Sequence, residues 1–166
     1  MLIDTLRRLL LFVVLVLAQG LVLNRIQLFH CATPLLYVYF VITFPRNYPK
    51  WAMLAWSFFL GLSVDMFANT PGLGAASATF AAAIQPYLLQ LFLPRDAEEH
   101  ERSSAVTLGF SKFATLSAII VFLFCLVFFA LEAFNFYAWQ QWLLCVAGSA
   151  MLTLLLVLAI ESLRQQ

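Results

Sequence analysis

The feature that most constrains this chain is a succession of six apolar runs, broken only by brief polar turns and one hydrophilic stretch. A helix needs about 20 mainly apolar residues to cross a bilayer, so six crossings would use about 120 residues and leave roughly 46 for turns and termini. Composition agrees: 64% of the 166 residues are hydrophobic and 10% are charged, against about 45 to 50% and about 25% in an ordinary soluble domain. Nine basic and eight acidic residues leave a net charge of +1, too little to neutralise a row of nucleic-acid phosphates. The expected fold is all-α: a polytopic integral membrane protein of six transmembrane helices in a single domain, residues 1–166.

The spans are expected at about 7–23, 33–44, 51–67, 75–93, 113–131 and 139–160. Ala18-Gln19-Gly20 loosely resembles a signal-peptide cleavage site, but five further apolar runs follow, which favours a retained first span. The second run is short, and His30 and Pro34 interrupt its start, so it begins near Thr33, crosses obliquely, or has an irregular beginning. Trp51 and Trp56 at the start of the third suit an interfacial aromatic belt. Asn69-Thr70-Pro71-Gly72-Leu73-Gly74 is turn chemistry, and Pro86 predicts a kink in the fourth. The one substantial loop, 94–112, carries Arg95-Asp96-Ala97-Glu98-Glu99-His100-Glu101-Arg102. With both termini inside, eight of the nine bases are cytoplasmic and only Arg25 lies outside, the asymmetry that sets orientation.

Among side chains that could carry chemistry, Ser57, Gly61, Asp65 and Asn69 recur every four residues and share a helical face. Small residues there admit close helix approach. Asp65 is the one carboxylate expected near a membrane-embedded position, about 21 Å along its span from Trp51. It could cap the following turn, contact a partner or pocket, or transfer a proton or ion. In the fourth span Ala75, Ala78 and Ala82 belong to an alanine-rich face open to another helix, internal or from a second protein. Gln85 is expected to repair hydrogen bonding freed at Pro86. The phenylalanines at 122, 124, 128 and 129 are expected to face lipid, whereas Cys145, Ser149 and Thr153 put a weakly polar stripe inward. Cys31, Cys125 and Cys145 show no spacing for a disulfide or zinc site. The cluster around His100 reads as a solvated loop rather than a metal site. No catalytic residue, cofactor or metal ligand set is indicated, and no P-loop, H-E-x-x-H or G-x-S-x-G motif occurs.

Two blocks carry a family resemblance. Ala32-Thr33-Pro34-Leu35-Leu36-Tyr37-Val38-Tyr39-Phe40 with Phe44-Pro45-Arg46-Asn47, and Gly61-Leu62-Ser63-Val64-Asp65-Met66-Phe67-Ala68-Asn69-Thr70-Pro71-Gly72, resemble the rod shape-determining MreD family, in the form found in Bacteroides-type bacteria. The resemblance covers residues 1 to 95 well and the last two spans only in character. It implies a non-enzymatic scaffold of the bacterial inner membrane. Such a scaffold binds MreC directly and couples MreB filaments to peptidoglycan synthesis by RodA and a class B penicillin-binding transpeptidase, so maintaining cell shape. On this reading Ser57, Gly61, Asp65, Asn69, Ala75, Ala78 and Ala82 are the candidate interface with the partner, with membrane lipid around them.

The MreD family is similar in fold to the solute-binding subunits of energy-coupling-factor vitamin transporters, and such a subunit is the alternative. It would predict an outward-open pocket lined by Asp65, Asn69 and Tyr37. Against it, the first span places Val14 and Val22 at four-residue offsets from Ala18, where those subunits commonly carry small residues for docking.

Overall fold

The computed structural model describes residues 2–26, 32–45, 47–93, 108–133 and 138–165. Its helices are α1 (Leu2–Leu17), α2 (Val38–Ile42), α3 (Lys50–Ala68), α4 (Leu73–Phe92), α5 (Phe110–Glu132) and α6 (Trp139–Gln165). After Leu17 the backbone widens into a π-helical turn, Ala18–Val22, and then tightens into a 3-10 turn, Leu23–Arg25. No β-strand occurs among the described residues. Among the described residues, four segments are long and apolar enough to cross a membrane: Leu2–Arg25, Lys50–Ala68, Phe110–Glu132 and Trp139–Arg164. Their outward faces are apolar: Leu2, Trp51, Met66, Leu144, Met151 and Leu163 are all strongly exposed. In water such a surface would aggregate, whereas hydrocarbon is a matching solvent for it.

The helices alternate in direction. The Arg8 guanidinium lies 4.0 Å from the Tyr48 ring centroid, and Lys50 Nζ lies 5.0 Å from that of Tyr87. Arg164 shares a cavity with Arg7 and Arg8. The beginnings of α1 and α3 and the last turns of α6 therefore meet at one end of the bundle. At the other end, Arg25, Phe67, Thr70, Glu132 and Trp142 border a second cavity. Arg7, Arg8, Lys50 and Arg164 are thus separated from Arg25 by the length of the bundle.

The second expected span departs most from a regular helix. Only Val38–Ile42 is helical; residues 33–35 have no regular secondary structure. Thr33 precedes a proline, which disfavours helical geometry, and Pro34 has no N–H to give. Thr33 and Leu35 border the cavity at one end, Thr43 and Phe44 the cavity at the other. A few irregular residues at up to about 3.3 Å each and about eight in the helix and its flanking turns, Leu36 to Thr43, at about 1.5 Å each cover roughly 25 Å, so twelve residues suffice to join the two ends. Irregular backbone at membrane depth survives only inside protein, and residues Leu35 to Ile42 are all buried.

Side chains from three other elements satisfy that backbone. Thr33 N–H donates to Ser149 Oγ at 3.1 Å and Leu35 N–H to Thr153 Oγ1 at 3.0 Å. Leu36 N–H donates to Gln19 Oε1 at 2.9 Å, while Gln19 Nε2 donates to the Pro34 carbonyl at 2.8 Å. Gln85 Nε2 donates to the Phe44 carbonyl at 3.2 Å. The inward polar stripe of α6 is therefore an acceptor ladder for a threaded segment. Gln85 thus serves that segment, a use not expected from its place beside Pro86; α4 runs as one helix through that proline.

Two further expectations are corrected. Phe124 and Phe129 are buried rather than lipid-facing, with Phe124 meeting Tyr37 edge to face at 5.2 Å, while Phe122 is exposed. The threaded segment gives α5 a buried face that sequence alone did not reveal. Cys145 is disulfide-bonded and Cys125 is a free, buried thiol; pairing depends on spatial proximity, which spacing along the chain does not report.

Candidate functional site

The α3–α4 junction gathers the residues singled out in the sequence. Helix α3 ends at Asn69, which adopts the left-handed conformation (φ 57°, ψ 35°) and donates its N–H to the Asp65 carbonyl. Asparagine tolerates this geometry better than most residues, so it stops the helix sharply. Gly72, also left-handed at φ 89°, then starts α4.

Asp65 occupies the space between. The residue is 2% exposed. Oδ1 accepts the Gly74 N–H at 2.8 Å and the Thr70 hydroxyl at 3.3 Å. Oδ2 accepts the Ala75 N–H at 3.0 Å and the Gly72 N–H at 3.1 Å. A helix N-terminus presents unsatisfied N–H groups and a partial positive charge, and a carboxylate answers both. Of the roles open to Asp65 in the sequence, the geometry shows the cap.

The small-residue faces explain how the junction closes. A β-carbon on Gly61 would fall against the Gly74 carbonyl and 2.5 Å from the Ala75 α-carbon, so the α3 and α4 backbones are in direct contact there. One on Gly74 would lie 2.6 Å from Asp65 Oδ1 and 2.9 Å from the Tyr37 hydroxyl. Ser57, Gly61, Asp65, Ala75, Ala78 and Ala82 are all buried within the chain, and Asn69 alone of the expected interface set is exposed. The close approach that these residues permit is intramolecular. Tyr37 is fully buried, and its hydroxyl has no hydrogen-bond partner among the described residues.

The cavity beside this junction measures about 700 Å³ and is bordered by Asn24, Arg25, Thr70, Glu132, Gln141 and Trp142. Of the turn, Thr70 reaches it; Asp65, Asn69 and Tyr37 do not. The hydrophilic stretch around His100, with Arg95 and Arg102, lies outside the described residues, as do Cys31 and Arg46.

Two roles went unread in the sequence. Gln19, inside an apolar run, is the bracket for the threaded segment. Glu161 is a second buried carboxylate, accepting the Tyr39 hydroxyl at 2.9 Å, which corrects the expectation that Asp65 stands alone. In both cases the available signal was a polar residue in an otherwise apolar span. Asp65 and Glu161 sit at opposite ends of the bundle and do not pair.

Among the described residues, fold and junction define an all-helical membrane protein in which a buried carboxylate joins two of its own helices. The chain matches no protein-family model, no curated protein and no solved structure.

Proposed function

We propose that this protein is a six-span scaffold of the bacterial cytoplasmic membrane, acting as MreD-family proteins do: it binds MreC and links MreB filaments to RodA and its transpeptidase. The observation that carries this reading is the use made of Asp65. The block that most resembles the family, Gly61 to Gly72, folds into a self-contained brace in which both carboxylate oxygens are taken up by Thr70, Gly72, Gly74 and Ala75. A brace of that kind suits a rigid platform better than a proton carrier. An orientation with both termini in the cytoplasm is supported by the clustering of Arg7, Arg8 and Arg164 at one end. A partner helix would dock on an outward face, such as that of Phe58, Leu62 and Met66 on α3, which is exposed; a side chain at Gly61 would disturb α4 instead.

Affinity purification of the tagged chain from native membranes in mild detergent, with mass-spectrometric identification of co-eluting proteins, tests the proposal. Recovery of MreC, with photo-cross-links from Leu62 or Met66, is expected. Recovery of paired ATPase subunits with a membrane coupler overturns it.

The second reading, a vitamin-binding transporter subunit, is favoured by the cavity of about 700 Å³ with its mixed charged and amide lining, a size that would hold a small molecule. Its mark would be a vitamin retained through purification and lost when Glu132 or Gln141 is replaced.

A further inference from the structure

The second cavity, about 490 Å³, lies at the opposite end of the bundle, and nothing argued above uses it. Three guanidinium groups border it, from Arg7, Arg8 and Arg164. Arg8 is held in place: its guanidinium lies 4.0 Å from the Tyr48 ring centroid and 5.4 Å from that of Phe44. Stacking of this kind orients the planar group. Its Nη1 is buried and has no hydrogen-bond partner among the described residues. The neighbouring carboxylate, Glu161, is fully buried and accepts the Tyr39 hydroxyl, which Arg164 also hydrogen-bonds.

The cavity is also two-sided. Leu11, Phe40 and Ile160 supply an apolar wall, and Leu6 and Leu10 on the lipid-facing side of α1 are exposed. A soluble anion would use the guanidinium groups and leave that wall idle, whereas an amphiphile would use both. We propose that this pocket binds the phosphate headgroup of an anionic membrane lipid, with Arg8 as the fixed donor, Arg7 and Arg164 closing on the remaining oxygens, and the acyl chains running out along α1. Guanidinium and phosphate match in geometry, with two parallel N–H donors facing two oxygens. Basic pockets between helices on the cytoplasmic side are a recurrent way of holding lipid headgroups. Association with MreC or with ATPase subunits would leave this assignment unaltered.

Native mass spectrometry of the purified full chain, titrated in detergent with dioleoyl phosphatidylglycerol and with dioleoyl phosphatidylcholine, tests it. Retention of phosphatidylglycerol is expected to exceed that of phosphatidylcholine about tenfold, and Arg164→Gln and Arg8→Gln are each expected to erase about tenfold of affinity. Arg164 is exposed but also hydrogen-bonds Tyr39, so Arg7→Gln, at an exposed residue that lines the cavity and with the same loss expected, keeps the test sound should either other replacement disturb the fold. Arg25→Gln, at the far end, is expected to change nothing. Equal retention of the two lipids, or retention unaltered in Arg164→Gln, overturns the proposal. Displacement of phosphatidylglycerol by millimolar inorganic phosphate alone would also overturn it, in favour of a site for a soluble anion.

Discussion

Replacing Asp65 by asparagine separates a structural cap from a reactive carboxylate. Each carboxylate oxygen accepts two donors, Gly74 N–H and the Thr70 hydroxyl on Oδ1, Ala75 N–H and Gly72 N–H on Oδ2. An asparagine side chain keeps one acceptor oxygen and turns the other position into an N–H₂ donor, so whichever way it sits, one pair of donors faces another donor. The Thr70 hydroxyl can rotate away and Gly72 is exposed to solvent, which leaves one buried N–H, of Gly74 or Ala75, without a partner. That costs about 1 to 3 kcal/mol, and loss of the charge at the α4 N-terminus adds about 0.3 to 1 kcal/mol. Asp65→Asn is therefore expected to lose roughly 1 to 4 kcal/mol. Asp65→Ala, which orphans both buried N–H groups, is expected to lose roughly 2 to 6 kcal/mol. Reversible unfolding in mixed micelles, read by tryptophan fluorescence, gives both differences. Stability of Asp65→Asn within about 0.5 kcal/mol of the parent would refute the capping argument, and if partner or solute binding were lost at the same time the carboxylate would be a binding group.

Gly61→Ala is expected to force α3 and α4 apart by about 1 Å, since carbon atoms pack at about 3.5 to 4.0 Å and the added methyl would sit 2.5 Å from the Ala75 α-carbon. A loss of about 1 to 3 kcal/mol in the same unfolding assay is the expected cost, and an unchanged midpoint would refute the direct backbone contact at Gly61. Thr153→Val removes the acceptor for Leu35 N–H at nearly constant volume and is expected to cost about 1 to 3 kcal/mol. Hydrogen exchange over residues 33–37 should accelerate as the threaded segment loosens, and unaltered exchange there would count against the acceptor ladder. Tyr37→Phe is expected to stay within about 0.5 kcal/mol of the parent, because the hydroxyl is bonded to nothing described while the ring keeps its edge contact with Phe124. A loss above about 1.5 kcal/mol would reveal a hydroxyl partner.

Much was legible in the sequence because the relevant physics is local. Apolar runs of spanning length, bounded by turn residues, yield long helices whatever surrounds them. Four such helices are present among the described residues, and the turn 69–74 falls where its asparagine and glycines put it. The four-residue spacing of Ser57, Gly61 and Asp65 put them on one face, and the alternation of spans separated Arg25 from Arg7, Arg8, Lys50 and Arg164. What those faces meet was decided only in three dimensions. Leu35 and Thr153 are 118 residues apart, Tyr39 and Glu161 are 122 apart, and no local pattern pairs them. The same helical phase that permits Gly61 to receive a partner's helix permits it to receive α4; the fold chose α4, because the turn is short and Asp65 locks it. Likewise, Thr33 and Pro34 foretold an irregular start to the second run, but that a non-helical segment could persist there depended on Gln19, Ser149 and Thr153 arriving from elsewhere to accept its N–H groups. In hydrocarbon a backbone donor with no partner is too costly to leave bare, so side chains distant in sequence settle the path of the chain.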